Sequence, residues 1–180
     1  MSANTALIIL DAQVNMFVPP QSIHNAGALV ETIQEALRMA RYAGMLVVYV
    51  QHCGPPGAAD EPGSPGWRIY PPLAPLSEDL LVQKTELDAF AQTNLHELLL
   101  ARGVRRLLLA GMRSELCVAA TCRRAGELGY QVTLLADAHG TRDDQRPAAA
   151  TIAEINAAMG DHAAVRPTHE AFERAPALPG

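Results

Sequence analysis

Short, nearly continuous apolar runs alternate along this chain with segments of helical spacing, and that alternation restricts the fold more than any other feature. The runs are Ala6–Leu10, Met45–Val50, Arg105–Ala110 and Gln131–Ala136, with shorter ones at Leu80–Gln83 and Ala163–Val165. A strand with one wet face alternates apolar and polar residues. A strand that is apolar throughout is covered on both faces, as in a parallel sheet with helices on either side. The segments between the runs supply those helices. Ala28–Tyr42 places Leu29, Ile33, Leu37 and Ala40 on one face and stops at Gly44. Thr93 is a candidate N-cap for a helix carrying Leu95, Leu98 and Leu99 and ending at Gly103. Glu115–Leu128 and Pro147–Met159 complete the set. The expected class is α/β: a three-layer, doubly wound, Rossmann-like domain with right-handed crossovers and a mostly parallel sheet of about six strands. A length of 180 residues fits one domain spanning residues 1–180.

Composition excludes several classes. The net charge is −5 and the basic residues are scattered, whereas a nucleic-acid surface needs clustered Lys and Arg. The first apolar run is cut by Asp11, so it is too short for a secretory signal or a membrane span. Three cysteines, Cys53, Cys117 and Cys122, suit a reducing compartment better than a disulfide scaffold. A soluble cytoplasmic protein with no nucleic-acid or membrane partner is expected. Gly54–Leu76, rich in Pro and Gly, is the one long loop and holds the sole tryptophan, Trp67. Such loops are usually functional. The tail after Phe172, with Pro176 and Pro179, is expected to be loosely ordered or to pack on a partner subunit.

In open α/β sheets ligands bind outside the carboxyl ends of the strands. Asp11 ends the first predicted strand and His52 follows the second. Lys84 ends the third, Cys117 follows the fourth, and Asp137 and His139 end the fifth. Any of these alone has an ordinary reading as a turn residue, a solvated charge or a small buried hydrophobe. Together they put a nucleophile, a base and a cation on one edge, where such charges are costly unless paired. Cys117 also opens a predicted helix, where free backbone N–H groups and the helix dipole favour a thiolate.

These residues sit in three separated motifs: Asp11-Ala12-Gln13-Val14-Asn15-Met16-Phe17; Lys84 with Asp88-Ala89-Phe90 and Thr93-Asn94-Leu95; and Gly111 through Cys117-Val118 with Thr121, Arg123 and Ala125. Gly129-Tyr130 and Asp137-Ala138-His139 extend the pattern. In this order and spacing the chain resembles the isochorismatase-like cysteine hydrolases, which include nicotinamidases and several small amidases. The resemblance covers residues 5–160 and implies roles: Cys117 as nucleophile, Asp11 as general base and acid, Lys84 as the cation that orients and polarises them. It also implies a cis peptide at Met112–Arg113 and an oxyanion hole made by the backbone N–H groups of Arg113 and Cys117.

The departures narrow the expectation. Metal-binding nicotinamidases carry Asp-x-His and a further His after the second strand, where this chain reads Gln51-His52-Cys53-Gly54. No metal and no cofactor are therefore expected, and nicotinamide is demoted as a substrate. Isochorismatase proper lacks the cysteine, so vinyl-ether hydrolysis is demoted too. Ser114 stands where the family often has Thr, and Arg113 is larger than usual, with a guanidinium that can face the pocket or the outside. The expected reaction is hydrolysis of a C–N bond in a small molecule through a thioester. Phe17, His52 and Trp67 are candidate pocket residues. An ester, lactam or ureido substrate, or a silent ligand-binding role, are the alternatives. Homo-oligomers are common in the family, and one is expected here.

Overall fold

The computed structural model describes residues 4–173, so the expectation for the tail, Pro176 and Pro179 included, lies outside the described residues. Six strands form one sheet: β1 (Thr5–Leu10), β2 (Leu46–His52), β3 (Leu80–Lys84), β4 (Arg106–Met112), β5 (Gln131–Gly140) and β6 (Ala164–Arg166). Their order is β3-β2-β1-β4-β5-β6, and every neighbouring pair is parallel. The helices are α1 (Val14–Phe17), α2 (Ala26–Tyr42), α3 (Leu95–Ala101), α4 (Ala119–Glu127), α5 (Ala148–Met159) and α6 (Thr168–Glu173).

The period-two alternation of strand side chains divides the core into two layers. Ala6, Ile8 and Leu10 of β1, with Leu107 and Leu109 of β4, face α3, α4 and α5. Leu7 and Ile9, with Leu108 and Ala110, face α2 and α6. All six residues of β1 are buried, which is why that run lacks polar alternation. Each Leu or Ile so buried is worth about 1.5–3 kcal/mol. Among the described residues no helix is long and apolar enough to cross a membrane.

Several boundaries differ from expectation. β4 and β5 run further than their apolar cores because, past an irregularity between Leu109 and Gly111, pairing resumes as Gly111↔His139 and Met112↔Gly140. Asp137 and His139 therefore lie within β5 rather than after it. The predicted helix Glu115–Leu128 begins instead as a wide π turn over Ser114–Val118, and α4 follows. α3 starts one residue later than a Thr93 cap implies, with Asn94 in the cap position. Thr93 Oγ still accepts from the Leu95 N–H at 3.3 Å.

Gly111 fixes the approach of two strand ends. Its φ is +124°, and a Cβ there would lie 2.1 Å from the Leu10 carbonyl oxygen. Only glycine lets β4 pass so close to the end of β1. Asp11 leaves that end at φ +50°, a left-handed conformation that Asp and Asn tolerate better than other side-chain-bearing residues.

Candidate active site

Three of the expected residues meet in one buried cluster. Lys84 Nζ donates to Cys117 Sγ at 3.1 Å and to the Glu86 carbonyl at 2.8 Å. It also pairs with Asp11 Oδ2 at 3.3 Å. Asp11, Lys84 and Cys117 are 1%, 2% and 6% exposed, so bulk water barely screens their charges. The topology explains the meeting. β1 and β4 are neighbours, which brings Asp11 beside the turn carrying Cys117. β3 lies beyond β2, and the four-carbon lysine stem crosses the end of β2 to reach both. The second motif anchors this reach. The Ala89 N–H donates to Thr121 Oγ of α4 at 3.1 Å, and Thr93 Oγ donates to the Ala89 carbonyl at 2.7 Å.

Burial dominates the ionisation of the cluster. It holds the Asp11 carboxyl above the usual carboxylate range, with the Lys84 ammonium pulling the other way. Burial, and next the Asp11 carboxylate, push the Cys117 thiol up to about 12, against the pull of Lys84. The thiolate expected from the helix-end position is thus not the resting form. The turn adds nothing to offset this: the Leu116 and Val118 N–H groups bond back to the Arg113 carbonyl at 3.1 and 3.2 Å. Those donors are used within the turn instead of on sulfur. A protonated Cys117 beside an Asp11–Lys84 ion pair follows, with Asp11 in hydrogen-bonding reach of the thiol. Asp11 Oδ1 is buried with no hydrogen-bond partner, an acceptor left free inside the site.

The peptide between Met112 and Arg113 is cis. Arg113 turns its guanidinium outward: Nη2 pairs with Glu115 at 2.7 Å and Asp144 at 2.8 Å. Ser114 and His139, both buried, brace the turn that carries Cys117. Asn156 Nδ2 donates to the Ala136 carbonyl, leaving its Oδ1 to accept from His139 Nε2–H at 2.9 Å. His139 Nδ1 then accepts from the Ser114 hydroxyl at 2.8 Å. Burial lowers the His139 pKa, which favours this neutral tautomer. His139 is therefore a brace rather than a pocket residue. Asp137 accepts from the Thr168 N–H and hydroxyl at 2.8 and 2.6 Å and so anchors the start of α6.

The remaining candidates are placed less simply. His52 Nδ1 contacts Asp60 at 2.7 Å and Nε2 contacts the Thr85 carbonyl at 3.2 Å. Both ring nitrogens are engaged, which removes His52 as a free hydrogen-bond partner for a ligand. Phe17 stacks on Tyr70 with centroids 4.5 Å apart. Trp67 is half-buried and its indole N–H donates to Cys53 Sγ at 3.4 Å. Among the described residues no group of three or more His, Cys, Asp or Glu is arranged to hold a metal ion.

Residues not singled out from the sequence hold the long loop in place. Gln13 Nε2 donates to the His52 and Trp67 carbonyls at 2.9 and 3.0 Å, and its Oε1 accepts from the His52 N–H at 2.8 Å. Gln51 Nε2 donates to the same Trp67 carbonyl at 2.9 Å. The available signal was a polar side chain, Gln13, between the apolar Ala12 and Val14 shortly after the first strand.

Comparison with known proteins shows the family and the fold. The isochorismatase domain family matches residues 5–166, and the chain belongs to that family. It is 43% identical over 160 residues to a streptothricin hydrolase of Streptomyces noursei, a match covering 88% of this chain and 57% of that protein. A second streptothricin hydrolase of that organism is 41% identical, with 63% of its length covered; the chain thus spans about three fifths of these relatives. A ureidoacrylate amidohydrolase of Caulobacter vibrioides is 29% identical over 171 residues, covering 74% of this chain and 76% of that one. The crystal structure of an isochorismatase from Pseudomonas putida superposes with a TM-score of 0.89 at 34% identity, covering 93% of this chain and 90% of that one.

Proposed function

We propose that this chain is a hydrolase that cleaves an amide-type C–N bond of a small molecule through a thioester on Cys117. One observation carries the reading: a single ammonium, Lys84 Nζ, lies 3.1 Å from a thiol and 3.3 Å from a carboxylate in a buried site. Asp11 takes the thiol proton as sulfur attacks the carbonyl carbon, so a free thiolate is never required. Backbone N–H groups of Arg113 and Cys117 receive the developing oxyanion; losing one such donor typically costs about a hundredfold or more in rate. Asp11 then returns the proton to the leaving nitrogen. Water, activated by the same carboxylate, releases the acid. Lys84 keeps Asp11 ionised between steps. On this reading Trp67, and Phe17 with Tyr70 stacked on it, supply the apolar side chains that the substrate meets. The ureidoacrylate amidohydrolase among the relatives makes a ureido carbonyl the second reading of the scissile group.

Ammonia release from a panel of small amides and ureides tests the proposal. The wild-type chain turns over at least one member, and Cys117→Ala, folded by circular dichroism, releases none. Continued release by the alanine variant contradicts the proposal.

A further inference from the structure

Beside the nucleophile turn lies a cavity of about 630 Å³ lined in part by Arg113, Arg142 and Arg146 and by Glu115, Asp144 and Glu154. Formal charge balances, yet the pairing is uneven. Arg113 holds Glu115 and Asp144, and Arg146 holds Glu154. Arg142 makes no ion pair among the described residues; its Nη2 reaches only the Asn15 carbonyl at 3.5 Å and Met16 Sδ at 3.6 Å. Its Nε is buried and has no hydrogen-bond partner. A half-buried guanidinium with a vacant donor is costly unless something supplies an acceptor.

Its position says what that acceptor belongs to. Arg142 follows β5 at the carboxyl edge of the sheet. Its two weak contacts are on the segment Asn15–Met16, which begins four residues after Asp11. Asn15 Oδ1 is also buried without a partner. Arg142 therefore lies between the charged cavity and the Asn15–Met16 segment that follows Asp11. The acids around it are engaged in part with other groups: Asp144 and Glu115 with Arg113, Glu115 also with the Thr141 hydroxyl at 2.9 Å, and Asp60 with His52 at 2.7 Å, while Glu115 Oε2 is itself buried without a partner. Burial and the neighbouring Arg113 weaken the hold of Arg142 on its proton, and Asp144, Asp60 and Glu115 act against them without forming an ion pair with it.

We propose that Arg142 determines substrate class: it receives a carboxylate carried by the substrate away from the scissile carbonyl, so the preferred substrates are anionic amides or ureides. The planar fork suits a carboxylate, and a cationic substrate would be repelled. This rests on the hydrolase reading above. Its test therefore includes a binding arm that needs no turnover.

Succinamate and its neutral counterpart succinamide form a matched pair. The kcat/KM ratio of the anionic over the neutral compound is expected to exceed about tenfold at low salt, mainly through KM. The ratio collapses toward one in Arg142→Gln and is partly kept in Arg142→Lys, since charge survives but the fork does not. Calorimetry on Cys117→Ala reads the same preference as binding, lost when Arg142→Gln is added. An unchanged ratio in Arg142→Gln, or equal binding of the two compounds, overturns the assignment even if both are hydrolysed. Arg142-dependent binding without any hydrolysis in the wild-type chain upholds it and removes the C–N hydrolase reading instead.

Discussion

Asp11→Asn is expected to lose amide hydrolysis by about 10²- to 10⁴-fold while its Cys117 is alkylated by iodoacetamide at pH 8 at least about tenfold faster than in the wild-type chain. The two properties usually move together, because both use sulfur as nucleophile. They separate here because Asp11 acts in opposite senses. In the proposed mechanism it takes the thiol proton as a base during attack, but as a resident negative charge it helps push the resting thiol up to about 12. Asparagine keeps the shape and the left-handed backbone at φ +50° while removing both the charge and the basicity. Lys84, 3.1 Å from sulfur, then acts unopposed, and each unit by which the thiol pKa falls multiplies the thiolate about tenfold. Cys53, half-buried and outside the cluster, is the internal reference for alkylation. Slower or unchanged labelling of Cys117 contradicts the assignment. The same chemistry sets the pH profile of the wild-type chain. Asp11 must be ionised to act and burial raises its pKa above 3.8, so kcat/KM falls as pH drops through a value above that of an ordinary aspartate.

Lys84→Met produces a different pattern, losing hydrolysis, alkylation and stability together. The methionine fills the stem's volume but leaves Asp11 as an uncompensated charge at 1% exposure. Breaking a buried pair in this way costs about 3–5 kcal/mol, or on the order of 10 °C in Tm for a chain of this size. The sign with pH follows from linkage. A carboxyl whose folded pKa is raised binds more protons folded than unfolded, so stability falls as pH rises from 3.8, the value for an unburied aspartate, toward the folded value. Without Lys84 that folded value moves higher still. The deficit of Lys84→Met relative to wild type is therefore greatest near neutral pH and shrinks on acidification, measured by thermal melts between pH 4 and 8. A pH-independent deficit means that Asp11 and Lys84 do not pair in solution.

The sheet and the cluster were legible in the sequence for one physical reason. Buried parallel strands must be apolar throughout, so a polar residue at the end of such a run marks the edge where ligands bind. Asp11 and Lys84 end their strands in this way. The strand continuations Gly111–Met112 and Asp137–Gly140 were hidden because their residues carry no period-two apolar signal; cross-strand pairing decides them. His139 looked equivalent to the cluster residues because sequence order places it at the same edge. Its partners, Ser114 and Asn156, come from separate elements, and no local pattern encodes them. The contact of His52 with Asp60 was hidden for the same reason, since Asp60 lies inside the long loop. Arg142 carried no signal either: an arginine becomes informative only when its neighbours prove to be paired with one another.

The most direct measurement is acid quench of the wild-type chain during steady turnover, followed by mass spectrometry of the peptide containing Cys117. A mass increase equal to the substrate's acyl group, on Cys117 and absent from Cys53 and Cys122, is the predicted result. Full turnover with no acyl adduct on Cys117 at any quench time, and with Cys117→Ala still releasing ammonia, would contradict it and leave direct attack by water as the chemistry of the site.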